Sequence, residues 1–141
     1  MASKVVTTDY FRKLMATQQV DLSGDSFAIA LMGEYVSAAD TSALKQVSAW
    51  ADVSAYEASA IGYSAINLNS PSVSIIDGNI VSWDGTDISW SNITLSPYGY
   101  AIYRIGDGIV VGFVEFTDGQ INAVNGSIII QWNTAGIMNI I

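Results

Sequence analysis

The chain has 141 residues, half of them hydrophobic and only 13% charged, with a net charge of −8 and a pI near 4.1. That length suits one domain with a true core, and the lack of cysteine and histidine removes disulfides, thiolate and imidazole metal sites and the commonest general base. Lys4, Arg12, Lys13, Lys45 and Arg104 are the only cations and assemble no basic patch, which argues against direct nucleic-acid binding. No apolar run reaches the ~18–20 residues of a membrane span, and Asp9, Arg12 and Lys13 interrupt any signal-peptide core.

In chain order, Thr7-Thr8-Asp9 offers cap chemistry for one short helix over 10–19, with Tyr10, Phe11, Leu14 and Met15 at i, i+3, i+4 spacing. Residues 26–32 alternate as a core strand. Phe27, Ile29 and Leu31 face one way, and Ala28 and Ala30, small enough for close packing, face the other. The stretch 33–46 reads as a long loop with a weak helical turn capped at Asp40-Thr41-Ser42, and 50–57 as a short helix. From Gly62 the pattern is all β, with expected strands at 63–68, 73–76, 80–83, 88–90, 93–95, 98–105, 109–116 and 127–132.

The punctuation is Asp77-Gly78, Asp84-Gly85, Asp107-Gly108, Asp118-Gly119 and Asn125-Gly126. Asn125-Gly126 is the strongest two-residue hairpin signal, since both positions of a type I′ turn need φ > 0. The isoleucine-rich C-terminus predicts a strand paired in a sheet or buried against a neighbouring subunit. Together these predict a single domain over 1–141, an antiparallel β-sandwich (jelly-roll or immunoglobulin-like) over 26–141, with an N-terminal arm and one short helix over 1–20.

Nothing in the chain supplies catalytic machinery. No GxSxG, P-loop or GxGxxG pattern occurs, and serine without a base is not an activated nucleophile. Asp77, Asp84, Asp87, Asp107 and Asp118 stand in or beside turns, where aspartate bonds its own backbone. A glycosidase pair or a calcium site is the competing reading. Trp83 and Trp90, with Tyr98, Tyr100 and Tyr103, are candidates for a sugar- or base-stacking platform or for core packing. No catalytic, cofactor-binding or metal-binding residue is expected. The low charge predicts that other protein chains cover part of the surface.

The order of motifs resembles a family of small tailed-bacteriophage virion proteins. An N-terminal helix, the strand Phe27-Ala28-Ile29-Ala30-Leu31-Met32, the segment Ala51-Asp52-Val53-Ser54-Ala55-Tyr56-Glu57 and Gly62-Tyr63 carry the first half. A strand around Trp90, Ala101-Ile102-Tyr103-Arg104, Gly112-Phe113-Val114-Glu115-Phe116 and Ile130-Gln131-Trp132-Asn133-Thr134-Ala135-Gly136-Ile137 carry the second. The chain departs at Ser64-Ala65-Ile66, where the family tends to have glycines. The resemblance implies a capsid decoration (cement) protein on the outer surface of the phage head, self-associated, often as a trimer, and bound to the major capsid protein. Candidate interface residues are Lys4, Val5, Val6, Tyr10, Arg12 and Lys13 at the N-terminal end and Ile140 and Ile141 at the C-terminal end. The alternatives are a tail or neck protein and a carbohydrate-binding module using Trp83 and Trp90.

Overall fold

The computed structural model describes residues 5–76, 80–116, 120–130 and 138–140. The fold is mainly β and antiparallel, as the alternation predicts. Strands β1 (Val5–Thr7), β2 (Phe27–Met32), β3 (Ile66–Asn67), β7 (Gly99–Arg104) and β8 (Val110–Glu115) form one sheet in the order β1-β8-β7-β2-β3. Facing it are a three-stranded sheet of β10 (Met138–Ile140), β5 (Ile80–Asp84) and β4 (Ser72–Ile76), and a two-stranded ribbon of β6 (Ile88–Leu95) and β9 (Ala123–Ile130).

Between the layers lies a core of Phe27, Ile29, Leu31, Ile102 and Val111 from the large sheet. Trp83, Ile88, Trp90, Ile93, Leu95, Ile128 and Ile130 meet them from the opposite side. Phe27 and Trp83 touch edge to face, with centroids 5.0 Å apart. Burying side chains of this size contributes roughly 1.5–3 kcal/mol each. The other face of the large sheet is covered too. Helices α2 (Tyr35–Ala38) and α3 (Thr41–Lys45) and two 3-10 turns at Trp50–Asp52 and Ser54–Tyr56 lay Val36, Leu44 and Val53 over Met32, Ala101, Val110 and Phe113. All six residues of β2 are therefore buried, and the small side chains of Ala28 and Ala30 lie on that second face.

Several sequence expectations need correction. The N-terminal helix is α1 (Asp9–Ala16). The expected turn after Asp40 is α3, capped by the Asp40 carboxylate accepting from the Ala43 N–H, but α2 precedes it within the expected loop and the expected helix 50–57 is two 3-10 turns. Val5–Thr7 is no free arm but a strand, paired with β8 through Val6↔Phe113. Gly112 allows that pairing, because a Cβ there would strike the Val6 carbonyl oxygen. The expected strand 63–68 shrinks to Ile66–Asn67, and the expected strands 88–90 and 93–95 are one strand, β6.

Asn125-Gly126 is not a hairpin turn. Both residues lie inside β9, and Gly126 pairs with Ile93. The ladder runs Trp90↔Ile128, Ile93↔Gly126, Leu95↔Ala123, so β6 carries one extra residue and β9 then carries one extra. The two insertions cancel. Asn92 (φ 55°) and Asn125 (φ 46°) take the left-handed backbone at these bulges. Each bulge lets the inward set change parity along its strand, so Ile88, Trp90, Ile93 and Leu95 all reach the core. Asp107-Gly108 does close the β7–β8 hairpin, with Gly106 and Gly108 at positive φ. Asp77-Gly78, Asp118-Gly119 and residues 131–137 lie outside the described residues.

Candidate interaction surfaces

At the N-terminal end, Thr8 is fully buried and caps α1. Its Oγ1 accepts from the Phe11 N–H at 3.3 Å and donates to the Val110 carbonyl at 2.6 Å. This cap fixes which helix residues face out. Phe11 and Leu14 go to the core, while Tyr10, Arg12 and Lys13 are exposed. Arg12 pairs with Asp9, and the Lys13 ammonium lies 6.0 Å from the Tyr10 ring. Val5 on the edge strand β1 is 69% exposed. Val6 is withdrawn from the interface set, because it points inward and is 3% exposed in the chain's own core. Lys4 and Ile141 lie outside the described residues. The backbone of Ile140 pairs with Val81, so residues 138–140 form a strand within a sheet.

The tryptophans do not form a stacking platform. Trp83 is 0% and Trp90 4% exposed. Each indole is tied inside, Trp83 Nε1 donating to the Leu22 carbonyl at 2.9 Å and Trp90 Nε1 to the Ser64 carbonyl at 2.7 Å. A ring with both faces packed offers no plane to a sugar, so the carbohydrate-module reading loses its residues. The turn aspartates bond locally. Asp84 Oδ1 accepts from the Gly85 N–H at 2.8 Å, and Asp107 accepts from the Ile109 N–H and from Arg104. Among the described residues no group of three Asp or Glu is placed to hold a metal ion.

Arg104, a solitary cation in the sequence, joins three segments. Its guanidinium donates to the Gln19 carbonyl at 2.8 Å, to Asp25 at 2.9 Å and to Asp107 at 2.6 Å. These bonds fasten the exit of α1 and the turn after it to the β7–β8 hairpin. The Arg104 hydrogen bond holds the Asp107 carboxyl below its ordinary range, against a smaller opposing effect of burial. Sequence spacing gives no signal for a contact spanning 85 residues.

Tyr63 joins the edge of β2. Its hydroxyl accepts from the Leu31 N–H at 2.8 Å and donates to Glu57 Oε2 at 2.6 Å. Burial first, then the Glu57 hydrogen bond, raises the Tyr63 pKa well above the ordinary tyrosine value. The phenol stays protonated and works as a structural donor. Beside it runs a groove of about 510 Å³ lined by Ser54, Glu57, Ser59, Tyr63 and Ser64. A second groove, about 480 Å³, is bounded by Ser59, Ala60, Ile61, Asn92, Thr94 and Asn125. In the first groove the Glu57 carboxylate accepts from the Tyr63 hydroxyl.

The outer face of the ribbon was not singled out by sequence reading. Ser89, Thr94, Val124, Ser127 and Ile129 all point to solvent there. The signal was present, since no charged residue occurs in 88–103 or 120–141. Among the described residues no helix is long and apolar enough to cross a membrane. No family model, curated protein or solved structure matches the chain.

Proposed function

We propose that the protein is a structural component of a bacteriophage virion, a capsid decoration protein that binds the major capsid protein on the outside of the head and associates with its own copies. The order of motifs from α1 to the C-terminal strand supports the family. The observation that carries the docking site is the N-terminal end. Val5 on the edge strand β1 is exposed, and on α1 the exposed Lys13 ammonium lies by the Tyr10 ring, so this end offers apolar and basic groups on a chain whose net charge is −8. Such a patch fits an acidic, partly apolar surface of the shell, with the cations aiding encounter.

Removing the first dozen residues does not test this, because it also removes β1, Thr8 and Phe11 from the fold. The test is binding of purified protein to undecorated shells, comparing wild type with the surface variant V5E/Y10A/K13E. A loss of occupancy of about tenfold or more in a variant with an unchanged melting temperature is expected. Undiminished occupancy would overturn this docking site. Failure of the wild type to bind any shell would overturn the decoration assignment.

A further inference from the structure

We infer that Asn125-Gly126 is a site of spontaneous covalent modification. The Gly126 nitrogen attacks the Asn125 carboxamide, and the asparagine becomes aspartate or isoaspartate through a cyclic imide. The inference concerns the chain's own chemistry and does not rest on the virion reading.

The reaction needs a following nitrogen that no side chain shields, a carboxamide able to turn toward it, and water. Gly126 supplies the first, having no side chain of its own. Apart from its chain neighbours, the nearest atom to a Cβ built there is the Val124 carbonyl oxygen, at 3.7 Å. The Asn125 side chain is exposed, and among the described residues no hydrogen bond holds its carboxamide. The bond this residue makes to a side chain runs from its backbone N–H to Thr94 Oγ1, at 3.0 Å. Water reaches it through the groove it shares with Asn92 and Thr94.

The backbone adds a second argument. Between the pairs Ile93↔Gly126 and Leu95↔Ala123, Thr94 alone stands opposite Val124 and Asn125. Asn125 is thus a bulge residue at φ 46°, outside the regular ladder that would fix it. A small rotation there suffices to bring nitrogen and carboxamide carbon to the ~3–3.5 Å of a near-attack arrangement. Neighbouring candidates lack this combination. Asn92 shares the left-handed backbone, at φ 55°, but precedes Ile93, a β-branched residue 1% exposed. The Asp84 carboxylate accepts from the Gly85 N–H, and that of Asp107 from Arg104 and the Ile109 N–H.

In the first step the Gly126 nitrogen bonds to Asn125 Cγ and the Cγ–Nδ2 bond breaks. Ammonia leaves with the proton that the Gly126 nitrogen gives up. Water then adds to one of the two imide carbonyls and that C–N bond breaks. Opening at Cγ yields aspartate. Opening at the main-chain carbonyl yields isoaspartate, whose backbone runs through Cβ and is one atom longer. Either product places a carboxylate on strands Ile88–Leu95 and Ala123–Ile130, which contain no charged residue.

The test incubates folded protein in mildly alkaline heavy-oxygen water and maps its peptides by fragmentation mass spectrometry. Residue 125 is expected to exchange its amide for an acid carrying one heavy oxygen, while Asn92 stays intact. Conversion at Asn92 as fast as at Asn125 overturns the inference. Gly126→Ala fits the open space and a backbone that is not at positive φ, and its methyl group hinders ring closure. Conversion at Asn125 is expected to fall by about tenfold or more in this variant, and an unchanged rate overturns the inference. In a second arm, wild type is compared folded and in guanidinium. The folded rate is expected to lie within about tenfold of the unfolded one. A larger gap shows that the β6–β9 ladder protects the site, and overturns the inference without touching shell binding.

Discussion

At the scale of single residues, Tyr63 and Arg104 hold parts of the chain that no local pattern connects. The Tyr63 hydroxyl satisfies the Leu31 N–H where β3 has ended. Replacing it with phenylalanine leaves that donor and Glu57 without their partner. Tyr63→Phe is expected to lower the unfolding free energy by about 1–3 kcal/mol in urea titration, with little change in the slope against denaturant. Asp107 has a lowered pKa in the folded protein because Arg104 donates to it. Its contribution is therefore present above the unfolded value of ~3.9 and is lost as pH falls through the lower folded value. In Asp107→Asn the drop in melting temperature between about pH 4 and pH 2 should be shallower than in wild type. The effect is modest, since the Asp107 side chain is 46% exposed and solvent screens the pair.

At the scale of elements, strands and core residues were legible in the sequence because burial on a pleated sheet imposes a period of two. The alternation in Phe27–Met32 and the apolar run Val110–Glu115 could be read directly. Asn125-Gly126 misled for a physical reason. An Asn in the left-handed region is demanded by a tight turn and by a bulge alike, so the dipeptide specifies backbone handedness and not chain reversal. Only the ladder with β6 separates the two, and that ladder is non-local. Interface candidates suffered similarly. Val5 and Val6 are equivalent in composition, and pairing with β8 alone decides that one faces out and the other in. The bulge makes its own prediction. Asn125→Gly should be close to neutral, whereas Asn125→Val should cost about 1–2 kcal/mol, because a β-branched residue resists positive φ. Chemical denaturation of the two variants compares them directly.

At the scale of the molecule, acidic side chains are absent from β6 and β9 and present in α1 at Asp9, at the α3 cap Asp40 and in the first 3-10 turn at Asp52. A net charge of −8 sets a long-range repulsion between copies that salt screens. Raising ionic strength from about 0.01 M to about 0.1 M shortens the Debye length from ~30 to ~10 Å. Occupancy of undecorated shells, which Lys13 supports in the proposed function, should weaken over that range when binding is measured in a salt series.

The pairing of β1 with β8 also dictates an order of events during synthesis. Thr8 bonds Val110 across 102 positions of sequence, so β1 leaves the ribosome well before its partner β8 has been made. At ~5–20 residues per second that wait lasts on the order of 5–20 s. Throughout it Val5 and Val6 form an uncovered strand open to the wrong neighbours. The large sheet therefore closes only once β8 has emerged, and nascent chains crowded on one message are where this protein is most exposed to misassembly.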